Sequence, residues 1–194
     1  PELRHSQARD WLSAQGYDST VDYLAAAARR VLDETGLLPH ANAGALHSAE
    51  LAVLRPVTAS QGMMIETLNG ELECHRGAPD KEPARRLATL DAAGQLAIPF
   101  TTGILVGIGE SRQDRLDALR AIAASHAEHG HVQEVIVQNF RAKPQTPMAR
   151  VPDASSQELR WSVATARLIL GPEANIQVPP NLSARDYQVY LDAG

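Results

Sequence analysis

Cysteine is almost missing: Cys74 is the only one in 194 residues. An internal disulfide is excluded, and so is a cysteine-ligated zinc or iron–sulfur site built by this chain alone. Aromatic residues are scarce, with two Trp, four Tyr and two Phe. That argues against a stacking platform for nucleic-acid bases. Basic runs are absent too, and the net charge is −5, so a nucleic-acid partner is not expected. No apolar run approaches the ~20 residues that span a bilayer. No leader pattern opens the chain at Pro1-Glu2, which makes the cytoplasm the default expectation. Short internal repeats are lacking as well, which excludes a solenoid.

What remains is an alternation. Helices are expected over 6–16 and 21–36, each closed by a glycine. Then strand and helix take turns: a strand in 37–44, a short helix over 48–55 halted by Pro56, and a strand over 57–66. A helix with Pro83 in its first turn follows, then a strand from Ile98 and a helix over 112–130. Strand 132–140, helix 157–171, strand 176–181 and helix 183–194 complete the series. Five strand–helix units argue for a parallel sheet with right-handed crossovers. A doubly wound open sheet and a (β/α)8 barrel both satisfy that pattern. Polar or small residues at every strand tip favour the carboxyl face of a barrel, whereas an open sheet gathers them at one switch point. A whole barrel needs eight strands and ~250 residues.

The most informative stretch is Gly103-Ile-Leu-Val-Gly-Ile-Gly-Glu110, a strand running into a glycine-rich turn and a helix. Backbone can approach a flat or anionic ligand closely at such a place. The dinucleotide pattern G-x-G-x-x-G fails, because Arg112 stands where its third glycine belongs. A spacing G-x-[I/L]-x-G-x-x-E is met by Gly103, Leu105, Gly107 and Glu110, and it resembles the fifth-strand motif of radical S-adenosylmethionine (SAM) enzymes.

Six segments narrow the resemblance: GLLPHANAG, SQGMMIE, GAPDKEPARRL, IPFTTGILVGIGES, HVQEVIVQNFRAK and IQVPPNL. In this order they resemble the 7,8-didemethyl-8-hydroxy-5-deazariboflavin (FO) synthases, a radical SAM family of deazaflavin coenzyme biosynthesis. The match is to the subunit, or N-terminal half of a fused enzyme, that closes the deazaflavin ring. The resemblance implies an α/β fold: a partial (β/α)8 TIM-type barrel of about strands three to seven, with parallel strands and outer helices. It implies one incomplete barrel domain over 1–194, lacking the cluster-binding first strand and the last strand. The family's C-x3-C-x2-C motif, which holds a 4Fe–4S cluster, has no counterpart here. An internal piece of the enzyme is therefore expected, with a cluster-less relative as the alternative.

The activity implied is radical ring closure. A SAM-derived 5′-deoxyadenosyl radical acts on the tyrosine-derived hydroxybenzyl adduct of 5-amino-6-(D-ribitylamino)uracil, and ammonia is lost. The implied cofactors are SAM and, in the full-length enzyme, the 4Fe–4S cluster, with no metal ligand assigned to this chain. The implied partner is the half or subunit that makes the adduct. Candidate SAM-binding residues are Glu66, Arg86 (or its neighbour Arg85), Gly103, Gly107, Gly109 and Glu110. Candidate substrate-binding residues at the strand tips are His40, Asn42, Asn139, Arg141 and Asn181. Valine at Gly107 is expected to block adenine while leaving the barrel folded. His126, His129 and His131 sit at and past a helix C-terminus, where imidazolium complements the dipole, and no carboxylate–histidine constellation is expected with them. Two other classes stay open: a non-catalytic barrel fragment, and a nucleotide- or phosphate-binding α/β protein using the Gly107 turn.

Overall fold

The computed structural model describes residues 2–183 and 187–194. Two helices come first, α1 (Ser6–Ala14) and α2 (Thr20–Thr35). Then β1 (His40–Ala41), α3 (Ser48–Leu54), β2 (Ser60–Gly62), α4 (Pro83–Gln95) and β3 (Phe100–Val106) alternate. The series continues with α5 (Arg112–His129), β4 (Val132–Asn139), α6 (Ser156–Leu170), β5 (Ile176–Gln177) and α7 (Tyr187–Leu191). The expected final helix began at Ser183; its residues 184–186, like Pro1, lie outside the described residues.

All strand pairs are parallel, and the order across the sheet is β1-β2-β3-β4-β5. Each strand lies beside its predecessor, so the sheet has no switch point among the described residues. With crossovers of one hand, unreversed order places every crossover helix on the same side. That is the winding of a barrel wall, not of a doubly wound sheet.

Periodicity explains the two faces of the wall. Phe100, Ile104 and Val106 of β3, with Val135 and Val137 of β4, pack into one core with Leu90, Leu119, Ile122, Leu159 and Val163 of the outer helices. The alternate residues include Thr101, Gly103, Leu105 and Gln138, and they turn the other way. α5 starts on a capping box, with Ser111 Oγ accepting from Asp114 N at 3.1 Å and Asp114 Oδ2 accepting from Ser111 N at 2.7 Å.

Three strands are shorter than their patterns suggest. Pro39 precedes β1 and two prolines soon follow β5, and proline has no N–H to give a ladder. β2 leaves the sheet after Gly62, and the chain returns only at Glu66, in a single bridge to Ile104. Among the described residues no helix is long and apolar enough to cross a membrane.

Candidate functional site

The turn after β3 is built by its own carboxylate. Glu110 is buried, and its side chain folds back to accept from Gly107 N at 2.9 and 3.1 Å and from Ile108 N at 2.7 Å. Arg115 Nε donates to Glu110 Oε1 at 2.7 Å. The same guanidinium donates to Glu158 at 2.7 Å and to Ser162 Oγ at 3.3 Å. Arg112 donates to Glu158 at 2.7 Å and lies over the Trp161 ring, 4.6 Å from its centroid. Between these two guanidiniums the Glu158 carboxyl is pushed down to about 2. The N–H groups that could cradle a phosphate are thus occupied by a carboxylate, which would also repel one.

Gly107 has its own reasons to be glycine. Its φ is +98°, and a Cβ there would lie 2.7 Å from the Ala154 Cβ. The expectation that valine at 107 leaves the fold intact is therefore corrected: the backbone and Ala154 exclude it before any ligand does. Gly109 also carries a positive φ, but its Cβ would meet nothing closer than Leu72 at 3.9 Å. Gly103 lies against β4, and an added Cβ would sit on the Ile136 backbone.

Glu66 forms the second centre. It holds φ +63°, uncommon for a residue with a side chain. Two backbone bonds pin it there: its N–H donates to Gly103 O at 2.9 Å and its carbonyl accepts from Leu105 N at 3.0 Å. Its mostly buried carboxylate meets Lys81 Nζ, His75 Nε2 at 3.0 Å and an Arg86 nitrogen at 3.3 Å. Arg86 is braced by the Asp80 carbonyl at 2.8 Å and by the Met64 carbonyl. Arg85 points elsewhere, to Asp80 and the Ala45 carbonyl. The structure thus joins Glu66 to Arg86 rather than Arg85. It adds Lys81 and His75, which sequence reasoning missed although Lys81 stands inside the GAPDKEPARRL segment.

Burial pushes the His75 imidazole below its usual range; Glu66 opposes this, while Lys81 and Arg86 reinforce it. The unfolded chain gains its proton near 6.5, the folded chain only at lower pH. The unfolded state therefore binds more protons in that window, and stability falls as pH drops through it. His75→Gln is expected to make the loss between about pH 7 and about pH 5 shallower, measured by urea unfolding. His131, also pushed down by burial, keeps part of the slope. A curve identical to the parent's would refute a neutral, buried His75.

Beside this centre lies a cavity of about 630 Å³ at the carboxyl ends of β3 and β4, lined by Cys74, Leu105, Gln138, Asn139, Phe140 and Met148 among others. Asn139 Nδ2 and Arg141 Nε donate to the Leu182 carbonyl at 3.1 and 3.0 Å, and Arg141 also reaches Asp153 at 2.9 Å. Asn139 Oδ1 is buried without a hydrogen-bond partner. Asn181 is exposed in the adjoining turn Pro180–Leu182. The other two substrate candidates sit two strands away. His40 lies in β1 rather than at its tip, with Nδ1 2.8 Å from Ser60 Oγ. Asn42 lines a separate cavity of about 620 Å³ with Glu2, Arg4, Asp80 and Arg85.

The chain is 55% identical over 191 residues to an FO synthase of Mycobacterium tuberculosis (strain H37Rv), covering 96% of this chain and 22% of that protein. The chain is a relative of the FO synthases. A Nocardia farcinica FO synthase is 50% identical over 200 residues, covering 100% of this chain and 23% of that protein. The 7,8-didemethyl-8-hydroxy-5-deazariboflavin synthase of Methanopyrus kandleri is 47% identical over 199 residues and is spanned to 59% of its length. The chain thus spans under a quarter of the first two relatives and under two thirds of the third. No family model matches it. Two solved structures share the fold at 20% identity. One is an FeFe-hydrogenase maturase from Carboxydothermus hydrogenoformans, with TM-score 0.71 over 91% of this chain and 42% of that one. The other is a methylornithine synthase, with TM-score 0.73 over 90% and 50%.

One expectation about the helix termini is corrected by the fold. A carboxylate does accompany the histidines: α4 brings Asp91 Oδ1 to 2.8 Å from His129 Nε2.

Proposed function

We propose that this chain is the SAM- and substrate-binding wall of an FO synthase barrel, a single incomplete domain of that enzyme. The observation that carries the reading is the Glu66 centre, in a chain whose relatives are FO synthases. One carboxylate there is held among two permanent cations on a strained backbone beside an apolar cavity. Buried charges and strain gathered at one strand end mark a functional site.

The residues suit SAM chemically. Arg86 and Lys81 can take its carboxylate, and Glu66 its ammonium or ribose hydroxyls. The cavity beside Leu105 takes a flat apolar ring. Gly103, Gly107, Gly109 and Glu110 shape the strand end against which that ring lies. When bound, SAM supplies the hydrogen-abstracting radical that closes the deazaflavin ring. The chain's part is to bind, orient and keep water out. His40, Asn42, Asn139, Arg141 and Asn181 are assigned to the hydroxybenzyl–ribitylaminouracil substrate, which a partner half or subunit supplies.

The 4Fe–4S cluster does not fit this chain's own residues. Burial pushes the Cys74 thiol up, and its sulfur faces the Ile108 carbonyl at 3.5 Å, so it is a poor thiolate ligand. The cluster's ligands lie in other parts of the full-length enzyme, and this chain alone is inactive.

The test is SAM affinity by calorimetry in the full-length enzyme. Glu66→Gln and Arg86→Gln each remove a charge-assisted bond, and a loss of about 1.5–3 kcal/mol corresponds to roughly 10- to 100-fold weaker binding. Parent-like affinity in both folded variants sinks the assignment.

A further inference from the structure

The outer wall carries a cluster that the function above does not use. Asp91 stands in the last turn of α4, and Glu128 and His129 in the last turn of α5. One ligand atom from each lies within 4.8 Å of the other two. His129 Nε2 is 2.8 Å from Asp91 Oδ1, and Asp91 Oδ2 is steadied by Gln95 Nε2 at 2.7 Å.

Two further observations set this cluster apart from a chance surface group. α4 carries a glycine where the imidazole lies, and a Cβ on Gly94 would fall 2.8 Å from the His129 Cβ. Glycine within a helix costs about 1 kcal/mol relative to alanine, and here it makes the notch that seats His129. Next to it, His131 is buried and packs edge-on, its ring centroid 5.6 Å from that of His129. His131 Nε2 faces the Leu90 carbonyl at 3.0 Å. A carbonyl only accepts, so that nitrogen bears the proton. Nδ1 is left as a buried lone pair with no partner.

We propose that Asp91, Glu128 and His129 form a zinc site that staples the ends of α4 and α5 together, away from the Glu66 centre. One imidazole nitrogen and two carboxylate oxygens are a donor set that zinc accepts. Bonds of about 2.0–2.2 Å in a tetrahedron place neighbouring ligand atoms about 3.3–3.6 Å apart, within the spread seen here. On binding, zinc takes the place of the proton shared by His129 and Asp91, which moves to the other ring nitrogen or to solvent. The fourth position is left to water.

The experiment titrates Zn²⁺ into the EDTA-treated, dialysed chain against a chromophoric chelator, with Co²⁺ as a visible-band probe and thermal melts alongside. One tight equivalent of Zn²⁺ and a melting temperature that rises with zinc are expected. Asp91→Asn and Glu128→Gln each remove one oxygen ligand with little change of shape. Both are expected to weaken zinc at least about tenfold. Glu128 is exposed, so Glu128→Gln should leave the zinc-free melt within about 2 °C of the parent. Zinc affinity unchanged in both variants overturns the proposal and leaves only an Asp–His hydrogen bond. No tight equivalent at all does the same.

Discussion

Glu110→Gln is expected to lower the melting temperature by on the order of 10 °C, before any ligand is considered. The Glu110 side chain is 0% exposed and pairs with Arg115, itself 6% exposed. Its two oxygens answer the N–H groups of Gly107 and Ile108 and the Arg115 guanidinium at once. Glutamine keeps one oxygen and replaces the other with an NH2. Whichever way the amide turns, that group points donors at donors, and Arg115 is left buried with Glu158 as its one anionic partner. Breaking a buried ion pair from one side costs about 3–5 kcal/mol, and each kcal/mol moves the melt of a domain this size by about 2–4 °C. Circular-dichroism melts of Glu110→Gln and Arg115→Gln measure it. Both should fall, and the double variant should fall less than the sum, because the two share one interaction. A Glu110→Gln melt within about 2 °C of the parent would falsify the view of Glu110 as the turn's internal brace.

Gly103→Ala is expected to be at least as damaging, by about 3 kcal/mol or more, beyond the usual range for one extra methyl in a core. The added carbon would lie 2.8 Å from both the carbonyl carbon and the amide nitrogen of Ile136, and closer still to its oxygen. Alanine has no rotamer to escape with, and the obstacle is backbone. β3 and β4 must therefore part at the centre of their ladder, where Gly103 pairs with Ile136. Soluble yield and urea midpoint of Gly103→Ala are the measurements. The family resemblance alone would assign Gly103 to the adenine, and it predicts a stable protein that has lost SAM. A Gly103→Ala chain with the parent's urea midpoint would support that assignment and remove the packing argument.

Much of this protein was legible in its residues. Local physics sets helix limits: Gly36 at the end of α2 and Pro83 at the start of α4 each mark an end that the structure shares. The strand–helix alternation and six ordered segments were enough to point to the FO synthases. Tertiary structure alone decided the rest. Alternation is common to both windings, and only the unreversed strand order separates a barrel wall from a doubly wound sheet. The motif Gly103 to Glu110 reads as a ligand cradle in sequence. Folded, Glu110 closes on its own turn, and Arg115 and Glu158, which brace it, come from two different helices. Glu66 is a carboxylate at a strand end in the sequence, yet its partners His75, Lys81 and Arg86 come from the loop and helix that follow. Asp91 and His129 meet across two helices, 38 residues apart. Periodicity reports which side of an element is buried. Which charge answers which depends on side chains brought together from different elements, and spacing along the chain carries no record of that.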